Sequence, residues 1–499
     1  MKKSFLFFVV LLILAVSGTV TANELLLEQK DAVVITENVV YGDKNVVDGV
    51  TVVRNTKYHN HMQWKTVYQV GEVPKCQTEY DFSASGALTD HEERGYEVNV
   101  YLNHTRNVSR MGEGEELYGL ELAYKELLDE TEPGSRSSKK ISLADYQKYY
   151  TVDLEFDLPG YMISTSFMDV DEIRYSLKND NLNERSRKNL EKNLKIIETF
   201  HEIIKIPVID NHIYHISVEK DLEGQMCSWG YSSLDGGGST NGMEIRDDEL
   251  PEDIDAFNFW ISSAITEDTC YFTFNTRTSK NNIVDTSQMP QGYGVYAFTF
   301  DAENGEIAID EMKNVCPLNP KLYVLDVKLD KQQENLLIFT EEDGMRSVIV
   351  MDRNTMEQKQ QLTYASETEA HHVYIYEDFM VVRYAWGKFV VLARNADGTY
   401  QHEIDIDCEK YDDLELGDLY SYGGMVFDWN GETLLMSDAL IDDDEYYYRQ
   451  NCGFYLAAFD KEGLQYYGEY ESSLDTHKEY IHYYFNCMPT EVEPLFVQW

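Results

Sequence analysis

Along most of this chain apolar and polar residues alternate with the two-residue period of a strand lying in a sheet. Before residue 110, four such runs (50–55, 62–70, 78–83 and 96–103) are β-branched or aromatic and are separated by Gly, Asp and Asn. After residue 205 one unit recurs: an apolar strand, an Asp or Asn opening a short turn, then a more polar strand. Its copies are 213–218 before Asp221, 295–300 before Asp301, 348–351 before Asp352, 389–393 before Asn395 and 454–459 before Asp460. All except the Asp352 copy carry Gly in the turn, where positive φ is needed and the Asp or Asn side chain caps the backbone.

Two further strands precede each of the last four copies: 257–262 and 269–275, 322–327 and 336–340, 373–376 and 379–384, 425–429 and 433–437. The turn openers are spaced by 51, 43 and 65 residues. Four antiparallel strands repeated at such steps are the pattern of a β-propeller blade. One four-stranded sheet cannot bury both faces, and stacking blades around an axis does so. The expectation is an all-β chain, a β-propeller of about seven four-stranded blades (range six to eight). Strands before residue 110 would form one blade, and the run 480–499 would help to close the ring.

A different period appears in the middle. Leu117, Leu120, Tyr124, Leu127 and Leu128 share one helical face and stop at Pro133-Gly134; Leu190, Leu194, Ile197 and Ile204 do the same before Ile206-Pro207. Between them the Ser-rich basic stretch 135–140 reads as a loop, followed by a Tyr-rich stretch over 143–158. Residues 113–205 are thus a partly helical insertion between an N-terminal β-rich segment (23–112) and the repeats (206–499).

Residues 1–22 have the make-up of an export signal: Lys2 and Lys3, an apolar stretch over 5–16, and small residues at Val20-Thr21-Ala22. Cleavage would follow Ala22, or Ser17 after Ala15-Val16. The apolar stretch is short for a bilayer span, and no other segment reaches about 18 apolar residues. The mature chain is therefore expected to be secreted or otherwise extracytoplasmic, with no integral span, or retained through this segment if it stays uncut.

Charge narrows the partners. Asp and Glu number 89 against 42 Lys and Arg, a formal charge of -47. Nucleic acid and anionic bilayers would be repelled rather than bound through counterion release. With 43% hydrophobic and 13% aromatic residues, the chain is globular rather than disordered. The acids concentrate over 405–418 and 442–445, which predicts a strongly acidic rim. Seven scattered cysteines with no Cys-x-x-Cys read as buried, unpaired thiols.

The stretch Tyr296-Ala297-Phe298-Thr299-Phe300-Asp301-Ala302-Glu303-Asn304-Gly305-Glu306 resembles the strand-turn-strand of quinoprotein-like and WD40-like β-propellers, and Ala457-Ala458-Phe459-Asp460-Lys461-Glu462-Gly463 is similar. The resemblance spans about residues 206–470 and implies the propeller fold. No quinoprotein blade tryptophan, and no Gly-His with Trp-Asp of a WD40 unit, accompanies it, so it implies no cofactor. The whole chain is similar to uncharacterised exported proteins of anaerobic Firmicutes, a likeness that implies no activity.

Candidate chemistry is sparse. His59 and His61 flank Asn60 on one face of a strand, a spacing that can hold Zn or Cu. Asp442, Asp443 and Asp444 with Glu445, and the run from Asp412 to Asp418, could offer oxygens to Ca²⁺ without the spacing of a dedicated calcium loop. Ser233 to Thr240 nearly matches the Asp-box turn of sialidase propellers, with Thr240 where a Trp is expected. No Gly-x-Ser-x-Gly, His-Glu-x-x-His, Walker loop or dinucleotide fingerprint occurs, so no catalytic residue is assigned. Tyrosine is abundant at 37 residues, with doublets at Tyr149-Tyr150 and Tyr466-Tyr467, among others. In a strand, one ring of each doublet would face inward and the other would be free for sugar or protein contact. The reading is a monomeric, non-catalytic module of a bacterial cell envelope that binds a protein or a glycan. Two alternatives stay open: a glycan-active enzyme with its site at the propeller axis, and a Ca²⁺-binding structural protein.

Overall fold

Alternation and turn chemistry do produce strands. The computed structural model describes residues 7, 9–21, 34–58, 62–80, 97–103, 119–158, 161–164, 170–178, 181–232, 238–241, 255, 257, 259–301, 306–366, 371–414, 425–442, 449–473 and 489–499. They are mostly strand, in antiparallel sheets. The chain divides into two units, one of residues 1–94, 368–396 and 400–499, the other of 95–367 with 397–399.

The first unit begins with β1 (Ile35–Gly42), β2 (Thr51–Tyr58), β3 (Met62–Gln69) and β4 (Lys75–Tyr80). Strands β5 to β20 belong to the second unit. The chain then returns with β21 (His372–Ile375), β22 (Phe379–Ala385), β23 (Lys388–Arg394) and β24 (Tyr400–Asp407), which form one sheet in sequence order. Next come β25 (Val426–Trp429), β26 (Leu434–Asp442), β27 (Arg449–Asp460) and β28 (Gly463–Ser472), with β1 added outside β28 as a fifth strand. The last strand, β29 (Pro489–Gln498), pairs with β2 from Thr51↔Gln498 to Tyr58↔Pro489 and heads the sheet β29-β2-β3-β4. The chain's two ends therefore share a sheet. Strand β1 has no alternating signal because most of it is exposed.

The β25–β28 sheet is buried on both faces. Tyr455, Ala457, Phe459 and Tyr467 join one core with Phe379, Phe389 and Phe427. Phe454, Leu456, Ala458, Tyr466 and Tyr470 join another with Val52, Tyr68 and Val497. Both rings of the Tyr466-Tyr467 doublet are thus buried, which corrects the expectation of one ring in and one out. Each such ring or aliphatic side chain gains roughly 1.5–3 kcal/mol by leaving water. A sheet covered on both sides can use that gain at every position, so 453–459 are buried without interruption.

The second unit contains four sheets among the described residues. One is β5 (Glu97–Asn103), β7 (Thr151–Leu158) and β8 (Tyr161–Ser164). Another is β6 (Arg136–Ser142), β9 (Ile213–Lys220), β10 (Met226–Ser232) and β11 (Gly238–Asn241). A third is β12 (Ile261–Ile265), β13 (Thr269–Phe274) and β14 (Gly294–Asp301), with β15 (Glu306–Ile307) and β16 (Lys313–Pro317) both on β14. The fourth is β17 (Tyr323–Leu329), β18 (Asn335–Glu342), β19 (Met345–Asp352) and β20 (Gln358–Ala365).

The insertion contributes α1 (Leu120–Glu130), α2 (Val170–Leu177) and α3 (Glu184–Ile203). Helix α1 buries Leu120, Ala123, Tyr124 and Leu127, and the Tyr124 ring meets Trp229 of β10 edge-on at 5.8 Å. Helix α3 is capped by Asn183, whose Oδ1 accepts from Ser186 N at 2.8 Å, and buries Phe200 against Phe272 of β13 at 5.3 Å. The basic stretch 135–140 is a strand rather than a loop: β6 pairs with β9 from Arg136↔Glu219 to Ser142↔Ile213. Its outward Arg and Lys side chains hide the strand from a hydrophobic pattern. Helix α2 is likewise absent from the sequence expectation.

The turns at Asp352, 395–398 and Asp460 join third to fourth strands, whereas the Asp221 turn joins β9 to β10, the second and third strands of their sheet. Asp352 Oδ1 accepts from Asn354 N and Thr355 N at 3.0 Å, and Asp460 Oδ1 from Glu462 N at 2.7 Å. In the 395–398 turn the acceptor is Asp397, which takes Thr399 N at 3.0 Å. Gly398 (φ 81) and Gly463 (φ 115) supply the left-handed residue; in the copy without Gly, Met356 takes φ 54.

First strands of successive sheets lie side by side within each unit. Ser262 Oγ of β12 donates to Asp326 Oδ1 of β17 at 2.6 Å and accepts from Val327 N at 2.6 Å. Strand β5 also lies against β12. In the first unit Phe427 N of β25 donates to the Tyr376 hydroxyl beside β21 at 2.9 Å, and β25 lies against β29.

Candidate functional site

In the second unit a row of polar side chains crosses one end of the β17–β20 sheet. Asp343 (φ 50) and Gly344 (φ 78) form a two-residue turn with both φ positive, which fixes the β18–β19 register. That register sets Glu341 opposite Arg346 on one side and opposite Tyr323 on the other. Residues opposed across strands present side chains to the same face. Tyr364, near the end of β20, completes the row: it is skipped in the pairing between Arg346↔Ala365 and Ser347↔Thr363.

Residues around the neighbouring sheet supply the rest. Arg277 follows β13 in a tight loop in which Thr276 Oγ1 donates to Pro320 O at 2.6 Å. Asp255 fastens the same loop, accepting Lys280 N at 2.9 Å and Asn282 Nδ2 at 2.7 Å. Burial opposes ionisation of Asp255, but hydrogen bonds from Thr278, Asn282 and Lys280 N hold it below the usual carboxylate range. Trp260 precedes β12 and is pinned through its backbone N, which donates to Asn275 Oδ1 at 3.1 Å.

Glu341 lies between two guanidiniums. Arg277 Nη1 donates to Glu341 Oε1 at 3.3 Å, and Arg346 Nε is 3.9 Å from Oε2. Arg277 lies over the Tyr323 ring, 4.9 Å from its centroid, and Trp260 meets Tyr323 edge to face at 5.3 Å. Trp260 is 39% exposed while Arg346 is only 2% exposed. Burial pushes the Tyr323 phenol up to about 12, against the pull of Arg277. Burial also lowers the Arg346 guanidinium from its ordinary value, partly offset by Tyr364 and Glu341. The arrangement offers an exposed aromatic ring and a set of guanidinium donors at one end of two adjoining sheets. Among the described residues it contains no nucleophile with a base beside it.

The first unit has a polar cluster of another kind. Asp438 of β26 is 6% exposed, stands opposite Tyr455 of β27, and accepts Ala439 N at 2.7 Å. Burial raises its carboxyl to about 6, the Ala439 amide and Arg54 pulling the other way. Arg54 donates to Gly453 O and lies over the Phe454 ring at 5.4 Å. The Tyr455 hydroxyl is buried without a hydrogen-bond partner among the described residues. A carboxyl with a raised pKa beside Tyr and Arg has the composition of a catalytic acid. Here it is buried in the sheet's core.

The residues singled out from sequence fall elsewhere. His59, His61, Asp443 and Asp444 lie outside the described residues, as do 233–237 of the Asp-box-like stretch. Asp442 ends β26 opposite Arg449. Among the described residues no group of three or more His, Cys, Asp or Glu is placed to hold a metal. Of the acidic run 405–418, Glu409 pairs with Lys388 at 3.4 Å and Asp407 with Lys410 at 3.7 Å, and 415–418 lie outside the described residues. Cys270, Cys316 and Cys408 are free and buried, as expected, whereas Cys227 is free and exposed. The Trp260–Arg346 group was not anticipated. Asp343-Gly344 carried the usable signal, since an Asp-Gly hairpin places Glu341 against Arg346.

No family model matches this chain, and no curated protein matches it. Among solved structures, a protein from Lactobacillus plantarum matches at 12% identity and a TM-score of 0.26, over 57% of this chain and 70% of that one. A functionally unknown protein from Desulfotomaculum acetoxidans matches at 9% identity and 0.25, over 47% and 72%. The β-propeller domain of Myceliophteria thermophila Cps50 (Swd1) matches at 11% identity and 0.21, over 50% and 80%. Scores this low carry no argument, and the fold rests on the strand pairings above.

Proposed function

We propose that this chain is an exported β-propeller that acts as a non-catalytic glycan-binding module, and that it takes its ligand where Trp260, Tyr323 and Arg277 meet. The observation that carries the reading is the exposed Trp260 ring, held against Tyr323 with a guanidinium over the Tyr323 face. Amphipathic rings beside fixed polar donors suit sugars, which present apolar faces and hydroxyl edges.

Three features support the propeller: repeated four-strand sheets, first strands side by side within each unit, and a sheet shared by the chain's two ends. The count would be about seven blades, the β6-β9-β10-β11 sheet being the one that carries the helical insertion. Export is supported by residues 9–21, a helix whose Leu11, Leu12, Ile13, Leu14 and Val16 remain exposed rather than joining a core. Among the described residues no helix is long and apolar enough to cross a membrane.

The test is calorimetric titration of the chain from residue 23 onward with a panel of neutral and acidic soluble oligosaccharides. At least one should bind, Trp260→Ala should weaken it tenfold or more, and no new reducing ends should appear. Binding by none of the panel would overturn the glycan reading, and release of reducing ends would overturn the non-catalytic one.

A further inference from the structure

We propose that the sugar taken by this site carries an acylamino group, an N-acetyl substituent whose carbonyl oxygen accepts from Arg277 and whose methyl lies on Ile283. This rests on the glycan-binding reading and specifies its ligand class.

The loop after β13 brings those two side chains together. Val284 N donates to Thr276 O at 2.8 Å and Thr278 N to Asn282 O at 2.9 Å, which sets Ile283 opposite Arg277 in an antiparallel bridge. Opposed residues present their side chains to one side, and the next residue along turns to the other. Val284 is accordingly buried, while Ile283 is 46% exposed. The four residues before it, Ser279, Lys280, Asn281 and Asn282, are exposed and polar, as suits the tip of a loop. Ile283 breaks that pattern and sets a solvent-facing apolar surface beside a guanidinium.

Arg277 also has donors to spare. A guanidinium carries five N–H donors, and here one goes to Glu341 Oε1 at 3.3 Å, with no second hydrogen-bond acceptor among the described residues. The Arg277 side chain keeps 20% of its surface exposed, against 2% at Arg346, so it is at Arg277 that a ligand oxygen can arrive. Glu341 already answers the Arg277 charge, and the chain carries -47 in all. A neutral acceptor such as an amide carbonyl is therefore favoured there over a carboxylate or a phosphate. Trp260, set edge to face on Tyr323 at 5.3 Å, gives the sugar ring a surface to lie on. Trp260, Arg277 and Ile283 thus match a ring face, an acceptor oxygen and a methyl group. A plain hydroxyl in place of the acylamino group would still meet Arg277 but would leave Ile283 in water.

The experiment is calorimetric titration of the chain from residue 23 onward with two matched pairs that differ in the 2-substituent: chitotriose against cellotriose, and N-acetylgalactosamine against galactose. In at least one pair the acetamido member should bind about ten times more tightly than its hydroxyl counterpart. Arg277→Gln should weaken that ligand tenfold or more. Ile283→Ser, at an exposed position, should weaken it about threefold or more and leave the melting temperature unchanged. If Arg277→Gln fails to fold, the Ile283→Ser result decides. Equal binding within each pair, no binding by either pair, or wild-type affinity in Ile283→Ser would each overturn the acylamino assignment. A hydroxyl-only oligosaccharide that still needs Trp260 would leave the glycan reading standing, whereas binding by none of the wider panel would overturn both.

Discussion

The two units each bury a carboxylate beside Arg and Tyr, and the surroundings make opposites of them. Glu341, in the second unit, is held between Arg277 and Arg346 at the end of a sheet, next to an exposed tryptophan. Asp438, in the first, is sealed in a core opposite Tyr455, and the cation acting on it among the described residues, Arg54, is engaged with Gly453 O and the Phe454 ring. A buried acid facing two guanidiniums is itself compensated by both of them. A buried acid facing a single engaged guanidinium carries the cost of its own desolvation. The exposed Trp260 ring beside the group, rather than the presence of Arg and Tyr, separates the candidate surface from the sealed core.

The largest expected effect comes from removing the acid of the second unit. Glu341→Gln removes a counter-charge from the buried Arg346 and from Arg277 and should lower unfolding free energy by about 3 kcal/mol, as urea denaturation at pH 8 would show. A loss below about 1 kcal/mol would mean that the pair is solvated. The same change of chemistry in the first unit should act in the other direction. Asp438→Asn keeps an acceptor for Ala439 N and removes a carboxyl raised from about 3.9 when unfolded to about 6 when folded, worth about 2–3 kcal/mol at pH 8.

The sign of the pH dependence follows from that shift. The folded chain holds the Asp438 proton more tightly, so its favourable contribution is full below about pH 4 and is lost as pH rises through about 6. The gain from Asp438→Asn should therefore be small at pH 4 and complete by pH 7. A gain that did not vary with pH would contradict the burial account. The smallest effect is expected at Tyr455→Phe, which deletes a buried hydroxyl with no partner among the described residues and should stabilise by about 1 kcal/mol in the same urea series.

The four-strand rhythm was legible because its signals are local. An Asp capping the backbone and apolar alternation on either side mark the β19–β20, β23–β24 and β27–β28 hairpins, with a Gly at positive φ in the last two and Met356 in its place in the first. Elements whose stability comes from their neighbours were illegible. Strand β6 is rich in Ser, Arg and Lys and pairs with β9 all the same, and β1 is an exposed edge. The Tyr466-Tyr467 doublet misled because alternation presumes one wet face, and this sheet has none. The candidate site was harder still. Trp260, Arg277, Tyr323, Glu341 and Arg346 come from two sheets and share no motif; only the Asp343-Gly344 hairpin hinted at one of their contacts.

The central claim is that the second unit's group around Trp260 and Arg277 binds ligand and the first unit's acid does not. Its most direct test is calorimetric titration of the tightest-binding oligosaccharide of the panel into three proteins: wild type, Asp438→Asn and Arg277→Gln. The account predicts that Asp438→Asn keeps the wild-type affinity within about twofold, while Arg277→Gln loses tenfold or more, roughly 1.4 kcal/mol. Equal losses in the two variants, or a loss in Asp438→Asn alone, would contradict it.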